Sequence, residues 1–240
     1  MEKECFIFSW PGHEDNAYVL ENSHKKFFNK TTVIHSGPLK KIDPNLAQEW
    51  VKLSDGAYFG DQFKTAMDIF NSDIFYHIQA DVTEVSEINE IVESIENAFY
   101  NEVGIWSCDL TYTGWTLEIA AIPNKHIDNP LCETNRFVNV TNTDCTCWAI
   151  SNEVIKYYKE NINLYSHLGW GIDLIMCAIA RHLNKFVVKD KNIKLNHKIG
   201  TGYSTLQATK EYLELVSKIP NNLRHDIEFV RELENIKRKN

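Results

Sequence analysis

A chain of 240 residues that is 43% hydrophobic and 12% aromatic can bury one large core or two closely joined ones, which excludes a disordered polymer. A net charge of −8 and a pI near 5.6, with no long basic stripe, exclude nucleic-acid binding by phosphate neutralisation and point to a small or neutral partner. The six cysteines follow no disulfide-framework spacing, no stretch approaches the roughly 20 apolar residues of a membrane helix, and the N-terminus lacks a signal-peptide layout, so a soluble, cytoplasmic protein is expected.

In chain order, CFIFSW (Cys5 to Trp10) is a short apolar strand stopped by Pro11-Gly12, and Asn16 to Phe28 fits a helix. TTVIHSG (Thr31 to Gly37) is a β-branched strand stopped by Gly37-Pro38. DQFKTAMDIF (Asp61 to Phe70) spaces Phe63, Ala66, Met67 and Phe70 as one helical face, and SDIFYHIQ reads as a third strand. This alternation predicts an α/β fold with a parallel, helix-covered sheet.

Asp81, Thr83 and Ser86 are candidate caps for the next helix, whose apolar stripe is Ile88, Ile91, Val92, Ile95 and Phe99. After Asn101 the strand-like pieces VGIWSCDL, WTLEIAAI, RFVNV and CTCWAI are joined by long connections holding Pro123 and Pro130, which predicts a mixed, partly antiparallel region. A capped helix follows from Ser151 or Asn152, then a turn over Leu168 to Gly171 and an apolar helix over Ile172 to Leu183. KFVVKD and NIKLNHKIG read as two closing strands, and Ser204 to Asn240 as amphipathic helix broken at Pro220. The expected organisation is one domain over 1–205 with a helical extension over 206–240.

An open α/β sheet binds ligands beyond the carboxyl ends of its strands. That edge holds Ser9-Trp10, His35-Ser36 and Gln79-Ala80-Asp81. The carboxylate that ends the third strand has two readings, a cap for the following helix or an oxygen ligand for Mg²⁺ or Mn²⁺ bridging the phosphates of a nucleotide.

The order of these elements, ending in QAD (Gln79 to Asp81), resembles the nucleotide-sugar half of GT-A glycosyltransferases of the family 2 kind. Those enzymes carry DxD here; in this chain Gln79 replaces the first acid, and Asp81 alone keeps the metal-coordinating position. LGWGIDL (Leu168 to Leu174) is similar to the GWG-plus-acid turn of galactosyltransferase-type relatives, which implies Asp173 as catalytic base and Trp170 as an aromatic face for the acceptor sugar. His197, 24 residues after Asp173, matches the closing-strand histidine that shares the metal with the DxD acid, and Lys198 and Tyr203 in the same loop are expected to meet the diphosphate. TNTDCTCWAIS (Thr141 to Ser151) resembles the strand after the acceptor loop and presents Asp144 as an acceptor ligand or alternative base. Trp10 is expected to stack on the base, with His35 and Lys64 as further nucleotide contacts.

The resemblance spans roughly residues 4–205 and implies transfer of a hexosyl or deoxyhexosyl unit from a nucleoside-diphosphate sugar, with Mn²⁺ or Mg²⁺, to a glycan or glycoconjugate hydroxyl, as in polysaccharide biosynthesis. Inversion at the anomeric carbon is the favoured outcome. Two other readings are a nucleotidyltransferase and a catalytically inactive carbohydrate-binding relative. FSWPGHEDN has one glycine and no Arg or Lys where a nucleotidyltransferase needs a phosphate loop; Gln79 keeps the inactive relative open. For the C-terminal extension, the candidate roles are packing on the domain, a homodimer surface, and peripheral contact with anionic lipid through its basic end.

Overall fold

The computed structural model describes residues 1–83, 87–110, 136–197 and 202–239. WTLEIAAI, Ser86 and the segment with Pro123 and Pro130 lie outside the described residues. The chain opens β1 (Lys3–Ser9), α1 (Glu14–His24), β2 (Lys30–Ser36), β3 (Val51–Leu53), α2 (Phe59–Ile69), β4 (Ile74–Gln79) and α3 (Ile88–Phe99). It continues with β5 (Val103–Leu110), β6 (Phe137–Asn139), β7 (Cys147–Ser151), α4 (Asn152–Asn161), α5 (Ile172–His182), β8 (Phe186–Leu195), α6 (Thr205–Lys218) and α7 (Asn221–Lys239).

These strands form one eight-stranded sheet in the order β3-β2-β1-β4-β7-β5-β8-β6. β1, β2, β3 and β4 are parallel, as the alternating first half predicts. β7 then enters between β4 and β5, antiparallel to both. Two reversals restore the direction, so β5 and its parallel neighbour β8 run the same way as β4. The carboxyl ends of β1, β2, β4, β5 and β8 therefore share one edge with the amino end of β7. The sequence predicts two closing strands where the structure has one: β8 runs through Leu195, and Lys191–Ile193 bulge out between the pairs Asp190–Cys108 and Lys194–Asp109.

Side-chain alternation along the buried strands fills two layers. Phe6, Phe8, Ile34 and Phe75 face α2, α4 and α5, while Cys5, Ile7, Val33, Tyr76 and Ile78 face α1 and α3. In α3 the expected stripe is buried at Ile91, Val92 and Ile95, with Ile88 and Phe99 partly covered. The C-terminal helices join the first layer through Tyr212, Leu215, Val216, Ile219, Leu223 and Ile227. Arg181 of α5 ties down α7 by donating to Asp226. Among the described residues no helix is long and apolar enough to cross a membrane.

Two of the buried histidines, His24 and His77, are neutral rings packed among aromatic side chains. His24 donates from Nδ1 to the Leu20 carbonyl (2.7 Å) among the rings of Phe28 and Tyr76, and His77 donates to the Phe6 carbonyl (3.0 Å) against Phe8. Burial lowers their pKa values to about 4 and about 3, respectively. Below pH 6.5 the unfolded chain takes up protons that the folded rings refuse, so this stability is complete above pH 6.5 and is lost as pH falls toward those values. The thermal midpoint should decline through that window, and His24→Phe, which keeps an aromatic ring in the stack, should decline less. Parallel midpoint-against-pH curves for the two proteins would contradict this.

Candidate active site

At the shared edge of the sheet lies a cleft of about 1040 Å³. Its floor is the end of β4. Gln79 donates its backbone N–H to the Thr146 carbonyl (2.9 Å), which joins β4 to the amino end of β7 and brings Asp144 beside it. Beyond Gln79 the chain turns, and Thr83 and Asn196 exchange backbone hydrogen bonds of 2.8 and 3.0 Å. That bridge sets Asp81 against His197, with Asp81 Oδ2 3.0 Å from His197 Nε2. Helix α3 starts only at Ile88, with Glu87 at its cap position, so Asp81 does not cap it.

The other Asp81 oxygen, Oδ1, is buried without a hydrogen-bond partner among the described residues. Leaving a carboxylate oxygen dry and unpaired costs about 1–3 kcal/mol or more unless a ligand satisfies it. For His197, burial works to lower the pKa, but the hydrogen bond and charge of Asp81, helped by Asp144, outweigh it and hold the ring above its ordinary value. An unpaired carboxylate oxygen beside an imidazole fits a hard divalent cation. Among the described residues no third His, Cys, Asp or Glu completes a three-ligand group. Two protein ligands would leave the remaining positions to water and substrate oxygens, the arrangement suited to a metal that carries a phosphate.

The second wall is the GWG turn. Gly169 and Gly171 have φ of +84° and +91°, conformations closed to most side chains, and a Cβ on Gly171 would stand 2.5 Å from Tyr212 Cδ2. Gly171 thus both starts α5 and admits the Tyr212 ring against the turn. The start of the helix points Asp173 into the cleft, half-buried, where its Oδ1 accepts the Leu174 N–H (2.9 Å). Trp170 donates to the Tyr203 hydroxyl (2.7 Å), and Tyr203 stands edge-on to Tyr58, 5.8 Å between centroids. Burial raises the Tyr203 pKa, the Trp170 bond lowers it, and Asp173 and Asp144 raise it further, so both carboxylates lie near this aromatic wall. Asp144 is buried, and its Oδ1 accepts the Thr146 N–H (2.7 Å).

At the far end Trp10 packs 5.0 Å from His13, with Ser36 and Asp55 close by. Trp10, Gln79, Asp81, Asp144, Trp170, Asp173 and His197 are thus brought to one cleft. Two candidates are not. His35 is fully buried, 3.1 Å from Ser9 Oγ and packed on Trp50, because a strand's alternation turns it into the layer under the edge. Lys64 pairs with Asp68 (2.7 Å) on the exposed face of α2. Lys198 lies outside the described residues. Sequence reading missed Asp55, and also Tyr212 and Arg231, which reach the cleft from α6 and α7. For Asp55 the signal was ambiguous by nature, since Ser-Asp-Gly marks a turn wherever it stands.

No protein-family model matches the chain, and no curated protein matches it. Solved structures do. GalNAc-T7, in a structure with UDP, GalNAc and Mn²⁺, superposes with a TM-score of 0.63 at 12% identity, over 90% of this chain and 48% of its own. Glucosyl-3-phosphoglycerate synthase from Mycobacterium tuberculosis, in a structure with Mg²⁺ and UDP, gives 0.55 at 12% identity, over 92% of this chain and 81% of its own. A197 from STIV gives 0.51 at 12% identity, over 83% and 87%. At such identities the likeness establishes the fold, a mixed α/β sheet of the GT-A glycosyltransferase type.

Replacing Gly171 by Ala should lower stability by about 2 kcal/mol or more, because the left-handed backbone and the Tyr212 ring both oppose a Cβ. Urea unfolding measures this. An unchanged midpoint would contradict the described packing of Tyr212 on the turn.

Proposed function

We propose that this chain is a metal-dependent glycosyltransferase that moves a sugar from a nucleoside-diphosphate sugar to an acceptor hydroxyl, inverting the anomeric carbon. The observation that carries the reading is the Asp81–His197 pair beyond the carboxyl end of β4, with one buried carboxylate oxygen that has no hydrogen-bond partner among the described residues. The GT-A fold adds to it, as do the UDP and divalent metals in the structures of GalNAc-T7 and the mycobacterial synthase.

In this reading the donor lies along the strand edge. Trp10 stacks on the base and Gln79, able to donate and accept, meets the ribose or phosphate oxygens. Asp81 and His197 would hold Mn²⁺ or Mg²⁺, a Lewis acid that offsets the charge of the leaving diphosphate. Asp173 accepts the proton of the acceptor hydroxyl while that oxygen attacks the anomeric carbon in line. The bond from carbon to the diphosphate oxygen breaks, and its electron pair leaves with the nucleotide. Asp144 holds the acceptor, and the Trp170–Tyr203 wall gives the sugar an apolar face while keeping water away from the reacting carbon.

Gln79 favours a second reading, a carbohydrate-binding protein that has lost catalysis, because the amide brings no charge where the family motif has an acid. Two measurements separate the readings. With Mn²⁺, one of UDP, GDP, CMP or dTDP should raise the thermal midpoint, as a ligand at a hundredfold excess over its Kd adds about 2.7 kcal/mol. Without the metal, or in Asp81→Ala, the rise should vanish. Asp173→Asn should keep the nucleotide-dependent rise yet cut transfer by about 10²–10⁴-fold. No rise with any of the four nucleotides would contradict the enzyme reading, and full transfer in Asp173→Asn would remove Asp173 as the base.

A further inference from the structure

The C-terminal helices bring a strong cation into a cleft otherwise ringed by acids. Among the described lining residues stand four carboxylates, Asp55, Asp81, Asp144 and Asp173, and Arg231 is the one Lys or Arg. Arg231 lies on α7. Its guanidinium carbon is 4.7 Å from the centroid of the Tyr212 ring, and its Nη1 donates to the Tyr212 hydroxyl (2.9 Å). Tyr212 is the residue that packs on Gly171 of the GWG turn. Burial raises the Tyr212 pKa, Arg231 lowers it, and the charges of Asp173 and Glu228 raise it. Arg231 therefore lines the cleft beside Tyr212, on the side of the GWG turn that leads into Asp173.

The arginines differ in what holds them, and Arg224 donates to the Asn221 side-chain oxygen (2.6 Å) outside the cleft. Arg136 binds Asp190 (2.7 Å) and Arg181 binds Asp226 (3.0 Å). Arg231 has no ion-pair partner among the described residues, and of its five N–H donors the Tyr212 bond uses one. Stacking on the ring fixes the plane of the fork and leaves its remaining N–H groups for a ligand. A fixed guanidinium fork matches the paired oxygens of a phosphate or carboxylate. The surrounding aspartates would repel such an anion unless a cation offset them, and here the cation stands beside the proposed base.

We propose that Arg231, oriented by Tyr212, forms an anion subsite at the acceptor end of the cleft, so that the acceptor carries a phosphate or carboxylate group close to its reacting hydroxyl. The proposal deepens the glycosyltransferase reading and rests on it. It also gives the C-terminal helices a function, as the element that selects the acceptor.

The test uses the full chain with three probes, glucose 6-phosphate, glucuronate and glucose, titrated by calorimetry with and without Mn²⁺ and the stabilising nucleotide. At least one anionic probe should bind about tenfold or more tightly than glucose, the scale of one charge-assisted hydrogen bond. Arg231→Gln should abolish that preference, Arg231→Lys should restore part of it, and neither should change the nucleotide-dependent thermal shift. A parallel arm measures cosedimentation with phosphatidylcholine vesicles with and without phosphatidic acid. Arg231-dependent binding confined to the acidic vesicles assigns the subsite to a lipid phosphate; confined to the soluble probes, it assigns it to a free one. Equal or absent binding of anionic and neutral probes in both arms overturns the proposal, as does a preference that survives Arg231→Gln. Loss of the nucleotide shift in Arg231→Gln would also overturn it, by assigning Arg231 to the donor. Failure of the glycosyltransferase reading shows separately, as a missing nucleotide shift in the unmodified protein.

Discussion

The backbone bridge between Thr83 and Asn196 joins segments more than a hundred residues apart, and the site depends on it. Each peptide group in the bridge answers one that would otherwise be unpaired at the frayed ends of β4 and β8. Closing it sets Asp81 and His197 side by side before any ligand arrives. In the proposed reading a metal held by the pair would meet a carboxylate whose second oxygen has no partner among the described residues, so little of the site would need rearranging. The imidazole, held above its ordinary pKa by the same carboxylate, would have to release its proton to bind a metal, so the affinity of such a site would weaken as pH falls.

The antiparallel strand β7 is the second constraint. A sheet of parallel strands alone would offer only carboxyl ends at the ligand edge. By running the other way, β7 presents its amino end there and carries Asp144 to the cleft. The GWG turn supplies the facing wall, and its shape depends in turn on Tyr212 from the C-terminal helices. The strand edge, the GWG wall and the C-terminal helices are therefore coupled through a few close contacts. Gly171, with no room for a Cβ beside Tyr212, is one of them.

Much of this was legible in the sequence, for identifiable reasons. Strand and helix alternation in the first half follows from apolar periods of 2 and 3.6, and QAD and GWGID lie on strand and helix ends where backbone geometry dictates the residue types. His35 was misplaced because a one-residue step along a strand exchanges the edge for the interior, a distinction that composition does not carry. Lys64 was misplaced because periodicity tells which face of α2 is buried and not where its exposed face points. The same limit hid Tyr212 and Arg231: an amphipathic stripe announces that α6 and α7 pack on something, while the packing address comes only from the fold.

The central claim is that Asp81 and His197 hold a metal jointly with the donor diphosphate. Pulsed electron paramagnetic resonance of Mn²⁺ with the nucleotide that stabilises the protein tests it most directly. Nitrogen coupling from one imidazole, together with phosphorus coupling from the diphosphate, should be present in the unmodified protein, and His197→Gln should lose the nitrogen signal. Phosphorus coupling with no nitrogen coupling, or nitrogen coupling that persists in His197→Gln, would contradict the account.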